Sequence, residues 1–153
     1  MAKTMTVTRS AVIQATPDRI FPLLDDLHEW ERWSPWEELD PNMAHSYTGA
    51  ARGTGAVHEW KGNSKAGEGR MEITGTDPPR RLDLDLTFIK PYKSSNTTSF
   101  QLTESGQSTN VTWSMVSPVN FMMRIAGIFM NFEKRIGKDF DKGLATLATL
   151  AES

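Results

Sequence analysis

Apolar residues recur every second position through most of the chain and every third or fourth position at its end. From Thr6 to Ala15, Val7, Ala11 and Ile13 share one parity and Val12 takes the other, which predicts a strand with one buried face. Thr16-Pro17-Asp18 then reads as a helix start. Threonine can cap, proline suits the first helical position, and aspartate suits the positive end of the helix dipole. Ile20, Phe21, Leu23 and Leu24 supply an apolar face, and Asp25-Asp26 closes the segment. Asp26 can cap a second short helix through Leu27, Trp30 and Trp33. Pro35 stops it, because the residue before a proline avoids helical angles.

The middle of the chain predicts strands and turns. Ala56 to Trp60 is one strand, followed by a turn at Gly62-Asn63-Ser64. Glu68 to Thr76 places Met71 and Ile73 on one face and Arg70, Glu72 and Thr74 on the other. Leu82 to Phe88 is the cleanest alternation, with one face apolar and the other acidic, as in an antiparallel sheet solvated on its outside. Thr97 to Thr103 groups Thr98, Phe100 and Leu102, and Asn110 to Val116 groups Val111, Trp113 and Met115. The even spacing of turns predicts a meander of hairpins.

The period then changes. Phe121, Ile125, Ile128, Phe129, Phe132, Ile136, Phe140, Leu144, Leu147 and Ala151 step by three or four, the stripe of an amphipathic helix. One straight helix over this stretch would run ~50 Å at ~1.5 Å per residue, too long for a domain of this size. A short leading helix and a main helix from about Phe129 to Leu150 are expected, with Gly127 and Gly137 as the weak points. A sheet with one apolar face must be covered, and the terminal helix is the main element able to cover it.

Composition narrows the classes. The chain has 153 residues, and 17 Lys+Arg against 19 Asp+Glu give a net charge of −2. That length suits one domain over 1–153. A near-neutral balance argues against nucleic-acid binding. With 38% hydrophobic and 24% charged residues, the chain is globular rather than disordered. It has no cysteine, which removes disulfides, thiolate metal sites and a cysteine nucleophile. The start, Met1 to Arg9, is too polar for the ~7–15 apolar residues of a secretory leader, and no stretch approaches the ~18 of a membrane span. The expectation is a cytoplasmic chain without an integral membrane segment.

Motif chemistry is sparse. His28, His45 and His58 form no i, i+4 pair, and the expectation is no metal and no cofactor. Gly53-Thr54-Gly55 and Gly67-Glu68-Gly69 do not make a phosphate loop and read as places where a curved sheet bends. There is no Gly-x-Ser-x-Gly elbow. His58 shares parity with Trp60, so a cavity that Trp60 faces also receives His58. It is the catalytic candidate, as an acid or base near neutral pH, against the plainer reading of a hydrogen-bonded strand histidine or headgroup anchor. Arg70, Glu59 and Glu72 read as outer-face charge pairs, and Tyr92 as a rim residue after Lys90-Pro91. Five tryptophans, three of them within Trp30 to Trp36, and eight methionines, including Met115, Met122, Met123 and Met130, supply apolar and adaptable surface.

Four segments in this order carry a resemblance: Ile13-Gln14-Ala15-Thr16-Pro17 with Ile20-Phe21; Trp33-Ser34-Pro35-Trp36; Trp60-Lys61-Gly62-Asn63 with Gly67-Glu68-Gly69; and Thr112-Trp113 with Gly137-Lys138-Asp139-Phe140 and Gly143-Leu144. Over essentially its whole length the chain resembles the START/Bet v1-like (SRPBCC) superfamily, in its bacterial polyketide cyclase/dehydrase-like branch. The resemblance implies an α+β helix-grip fold. In it a curved seven-stranded antiparallel sheet wraps a long C-terminal helix, with two short helices between strands 1 and 2. It also implies a cavity for a lipid-, sterol- or polyketide-like molecule. The expected lining is Trp33, Trp36, His58, Trp60, Met71, Leu84, Leu86, Phe88, Phe100, Trp113, Met115, Met122, Phe129 and Phe132.

Three functions follow as expectations. The first is binding of a hydrophobic or amphipathic small molecule. The second is a cyclase, dehydratase or isomerase using His58, a tyrosine or an arginine. The third is a protein-interaction module, favoured if the dense apolar run Phe121 to Phe129 is exposed; the resemblance makes that run first a cover over one end of the cavity, and its composition also allows a homodimer contact or a surface that touches membrane.

Overall fold

The computed structural model describes residues 4–90, 93–118 and 128–153, with only the backbone described over 128–133. Strand β1 (Thr4–Ile13) leads into the short helices α1 (Pro17–Ile20) and α2 (Pro22–Asp25), then a 3-10 helix over Leu27–Arg32 and a single turn over Glu37–Leu39. Six strands follow: β2 (Ala44–Gly49), β3 (Ala56–Lys61), β4 (Glu68–Asp77), β5 (Arg81–Lys90), β6 (Ser94–Ser105) and β7 (Ser108–Pro118). Helix α3 (Ile128–Glu152) ends the chain. The sheet order is β1-β7-β6-β5-β4-β3-β2, so the first and last strands are neighbours and β2 forms the far edge. Every pairing is antiparallel.

The alternation in the sequence sorts the two faces. On β1, Met5, Val7 and Ile13 are buried, whereas Val12 is 61% exposed. On β5, Leu82, Leu84 and Leu86 are buried. Across from them stand Phe100, Thr98 and Asn96 of β6, which share the inner face. Helix α3 lays Ile136, Phe140, Leu144, Leu147 and Ala151 on that face. Full burial of one such large side chain is worth about 1.5–3 kcal/mol, so this seam contributes several kcal/mol of apolar burial.

Two expectations change. Strand β2, with the sequence AHSYTG, carries no apolar alternation in the sequence, because it has no large aliphatic residue and only His45 and Tyr47 turn inward. Gly137 does not break α3. The Arg9 side chain of β1 passes beneath it, and a Cβ there would lie 2.2 Å from an Arg9 guanidinium nitrogen. Glycine at this position lets α3 sit close to β1, and Arg9 Nε ends 3.5 Å from Asp141. The expected leading helix and residues 121–127 of the expected lid or interface lie outside the described residues, as do the side chains of Ile128 and Phe129. Among the described residues, no helix is long and apolar enough to cross a membrane.

Candidate functional site

The inner face has two differently built ends. At the first, the segment between β1 and β2 delivers three tryptophans. Asp26 starts the 3-10 helix by accepting from the His28 amide at 3.0 Å. Trp30 Nε1 donates to the Leu24 carbonyl and Trp33 Nε1 to the Leu23 carbonyl, both at 2.9 Å, so both indoles are fixed against α2. Trp36 Nε1 donates to Asp139 Oδ2 of α3 at 3.1 Å. Burial raises the Asp139 pKa above its ordinary value, against the Trp36 hydrogen bond and the charges of Arg135, Lys142 and Lys138.

These rings fill much of the space between sheet and helix. Trp113 stacks on Phe140 with centroids 3.9 Å apart and planes at 8°, and on Phe100 at 4.9 Å. Gly143 makes the close approach possible, because a Cβ there would stand 3.0 Å from both Pro35 and the Trp113 ring. A hollow of ≈ 10 Å³ is left, lined by Trp30, Trp36, Met71, Leu84, Leu86, Thr98, Trp113 and Phe140. That is room for about one water. Of the lining residues, Thr98 and Trp113 each bury a polar atom, Oγ1 and Nε1, with no hydrogen-bond partner among the described residues.

Of the residues expected to line a cavity, Trp36, Met71, Leu84, Leu86 and Trp113 border the hollow. Phe100 and Met115 are buried on the same face without bordering it. Trp33 is 2% exposed and packed against Trp30, with ring centroids 4.5 Å apart. Trp60 and Phe88 meet edge to face at 6.0 Å, and both are partly buried against the core. Met122, Phe129 and Phe132, with Tyr92, lie outside the described side chains. The sequence places Trp30 on the second short helix and Phe140 on the terminal apolar stripe. Their place at the hollow depends on the crossing of α3 over β7, which periodicity does not encode.

The second end is polar. Strand β2 pairs with β3 so that Tyr47 faces His58 and His45 faces Trp60. The rings form a row: His28 stacks on Tyr47 at 3.9 Å, Tyr47 on His58 at 4.7 Å, and His58 on His45 at 5.0 Å. His45 Nδ1 lies 2.8 Å from His58 Nε2. His45 Nε2 lies 3.3 Å from Glu37 Oε2 and 4.0 Å from Glu31 Oε1. The Tyr47 hydroxyl donates to Glu31 Oε2.

Burial governs the charges here. It pushes His58 down to about 4, helped by the neighbouring charge of His45, so His58 is neutral at pH 7. It pushes Glu37 up, with His45 opposing and Glu31 adding to the rise. Burial and the Glu31 carboxylate raise the Tyr47 phenol above its ordinary value. His58 is 5% exposed, and its Nδ1 has no partner among the described residues. An open depression of ≈ 140 Å³ adjoins this end, lined in part by Leu27, His28, Tyr47 and Val57.

The sequence singled out His58 and missed the group around it. Glu31, Glu37, His45 and Tyr47 come from three separate elements, so no local spacing joins them. One signal was present: His45 and Tyr47 alternate, as do His58 and Trp60, and a hairpin through Gly53-Thr54-Gly55 brings the pairs together.

The model of a family described as polyketide cyclase / dehydrase and lipid transport matches residues 4–152. No curated protein matches the sequence. Among solved structures, a protein from Mesorhizobium loti aligns over 97% of both chains with 16% identity and a TM-score of 0.70. DynU16, a protein of the dynemicin biosynthetic locus, aligns over 97% of this chain and 47% of its own with 16% identity and a TM-score of 0.67. The Aha1 dimer of Colwellia psychrerythraea aligns over 94% of this chain and 93% of that one, with 15% identity and a TM-score of 0.66. At these identities the solved structures establish the shared helix-grip fold.

Proposed function

The chain belongs to the polyketide cyclase / dehydrase and lipid transport family, and on that premise we propose that it binds a hydrophobic or amphipathic small molecule between the concave sheet face and α3. One observation carries the reading. Thr98 and Trp113 line a hollow otherwise walled by apolar side chains, and Thr98 Oγ1 and Trp113 Nε1 are buried with no hydrogen-bond partner among the described residues. A buried donor or acceptor without a partner costs about 1–3 kcal/mol, and a ligand hydroxyl or carbonyl would recover that. Ligand sites are mostly apolar with a few placed polar groups, which is this pattern.

A ligand needs roughly 300 Å³ or more, so binding must open the hollow. Trp36 is the wall best placed to move. It is partly buried, it meets Trp113 and Phe140 edge-on at 5.7 and 6.3 Å, and one hydrogen bond to Asp139 pins its indole. Titration with fatty acids, sterols and aromatic polyketides, read by tryptophan fluorescence, tests this. The expected result is a saturable change for at least one class, weakened by Thr98→Val. No change with any class counts against the proposal. Conversion of a polyketide to a cyclised or dehydrated product would place the protein on the catalytic side of the same family.

A further inference from the structure

We infer that Glu31, Glu37 and His45 form a binding site for one divalent first-row transition metal, Zn2+ or Mn2+, with His58 as the positioning residue behind His45. The site lies at the β2–β3 edge and does not depend on the ligand proposed for the hollow. One donor atom from each of the three residues falls within 4.8 Å of the other two. Bonds of ~2.0–2.2 Å place neighbouring ligands of such an ion ~3–3.6 Å apart. His45 Nε2 and Glu37 Oε2, at 3.3 Å, already stand at that spacing. Glu31 Oε1, at 4.0 Å from His45 Nε2, reaches it by a small rotation of a side chain that is 44% exposed.

The surroundings hold the three donors in place. Ligating histidines ordinarily give their other ring nitrogen to a partner that fixes tautomer and orientation. His45 does so: its Nδ1 meets His58 Nε2 at 2.8 Å, leaving Nε2 turned to the carboxylates. His58 is 5% exposed, and this is its only side-chain hydrogen bond among the described residues. A buried imidazole with one nitrogen unpartnered is poorly explained by stability, and it is well placed to orient His45. Tyr47 similarly takes one oxygen of Glu31 and leaves the other facing His45. A plain ion pair between His45 and Glu37 accounts for the 3.3 Å contact. The second carboxylate, Glu31, is held by Tyr47 and stands 4.0 Å from the same nitrogen, which brings three potential donors to one point.

The donor set selects the ion. One imidazole and two carboxylates without a thiolate suit Zn2+ or Mn2+. Three protein ligands on a partly exposed edge leave coordination positions open to water or to a substrate oxygen. The chain's only three histidines are all gathered in this row.

Isothermal titration of tag-free, chelator-stripped full-length protein with ZnCl2 and with MnCl2 at pH 7.5 tests the inference. The expected result is saturable binding of one ion per chain for at least one metal. Glu37→Gln and His45→Gln should each weaken it by about 10-fold or more, and His58→Gln by about 10–100-fold. Circular dichroism and thermal melting establish that each variant is folded. Co2+ substitution adds a visible d–d band that His45→Gln should alter. Absence of saturable binding for both ions overturns the inference, as does binding that folded Glu37→Gln and His45→Gln leave unchanged. Neither outcome bears on the hydrophobic ligand, which is read separately by tryptophan fluorescence.

Discussion

At the β5–β7 end of the concave face, Trp113 lies between Phe100 and Phe140, with Trp30, Trp33 and Trp36 around it. At the β2–β3 edge, His28, Tyr47, His58 and His45 are stacked in a row with Glu31 and Glu37 at its end. Both ends use aromatic stacking on one sheet face, and both draw residues from the segment between β1 and β2. They differ in what the rings cost. Phenylalanine gains from burial outright, whereas a buried imidazole must find partners for two nitrogens. The first end therefore reads as stabilising core, apart from the unpartnered Thr98 Oγ1 and Trp113 Nε1 on which the ligand proposal rests. The second holds groups that stability alone does not explain, and such groups concentrate at functional sites.

Four substitutions test this contrast. Trp113→Ala, at the centre of the first end, should cost about 3–5 kcal/mol in urea unfolding, the range for deleting a buried large aromatic. A loss below 1 kcal/mol would mean the aromatic end is loosely packed. Thr98→Val removes an unpartnered buried hydroxyl and keeps the shape. It should stabilise the ligand-free protein by about 1 kcal/mol while weakening ligand binding, a trade-off that a purely structural threonine would not show. His58→Phe should change stability by less than about 1 kcal/mol although His58 is buried, because it removes one side-chain hydrogen bond and one unpartnered nitrogen together. A loss of several kcal/mol would make the histidine row a structural element and erase the contrast.

The smallest effect concerns pH. Burial raises the Asp139 carboxyl above its ordinary 3.8 in the folded protein. Between that value and the raised one, the native state holds more protons than the unfolded chain. Stability therefore falls as pH rises through this window and levels off above it. Asp139→Asn, which can still accept from Trp36 Nε1, should flatten that decline in melting temperature. An unchanged slope would show that another group carries it.

The legibility of the fold followed the same division. Leu82 to Phe88 named β5 because leucine and aspartate alternate cleanly, and the structure extends the strand to Arg81–Lys90. The apolar stripe named α3 because its residues face one seam. Strand β2 went unmarked because its inward positions are a histidine and a tyrosine, which carry little hydrophobic signal. The candidate site was lost with it. His58 was visible through its parity with Trp60, but His45, Glu31 and Glu37 meet it only through strand pairing and the path of the connecting segment. Similarly, the inner parity of Met71, Leu84 and Trp113 was readable. How little space α3 leaves above them was not, because it depends on the close approach at Gly143.

On the proposed reading, the concave face holds a small molecule. Native mass spectrometry of protein purified without detergent, followed by denaturation and solvent extraction, tests it most directly. The expected result is a reproducible mass increment on the folded chain that is released on denaturation and extracts as a lipid- or polyketide-like compound. An excess of that compound should restore the increment to stripped protein. Only the bare chain mass, both as purified and after incubation with fatty acids, sterols and aromatic polyketides, would contradict it.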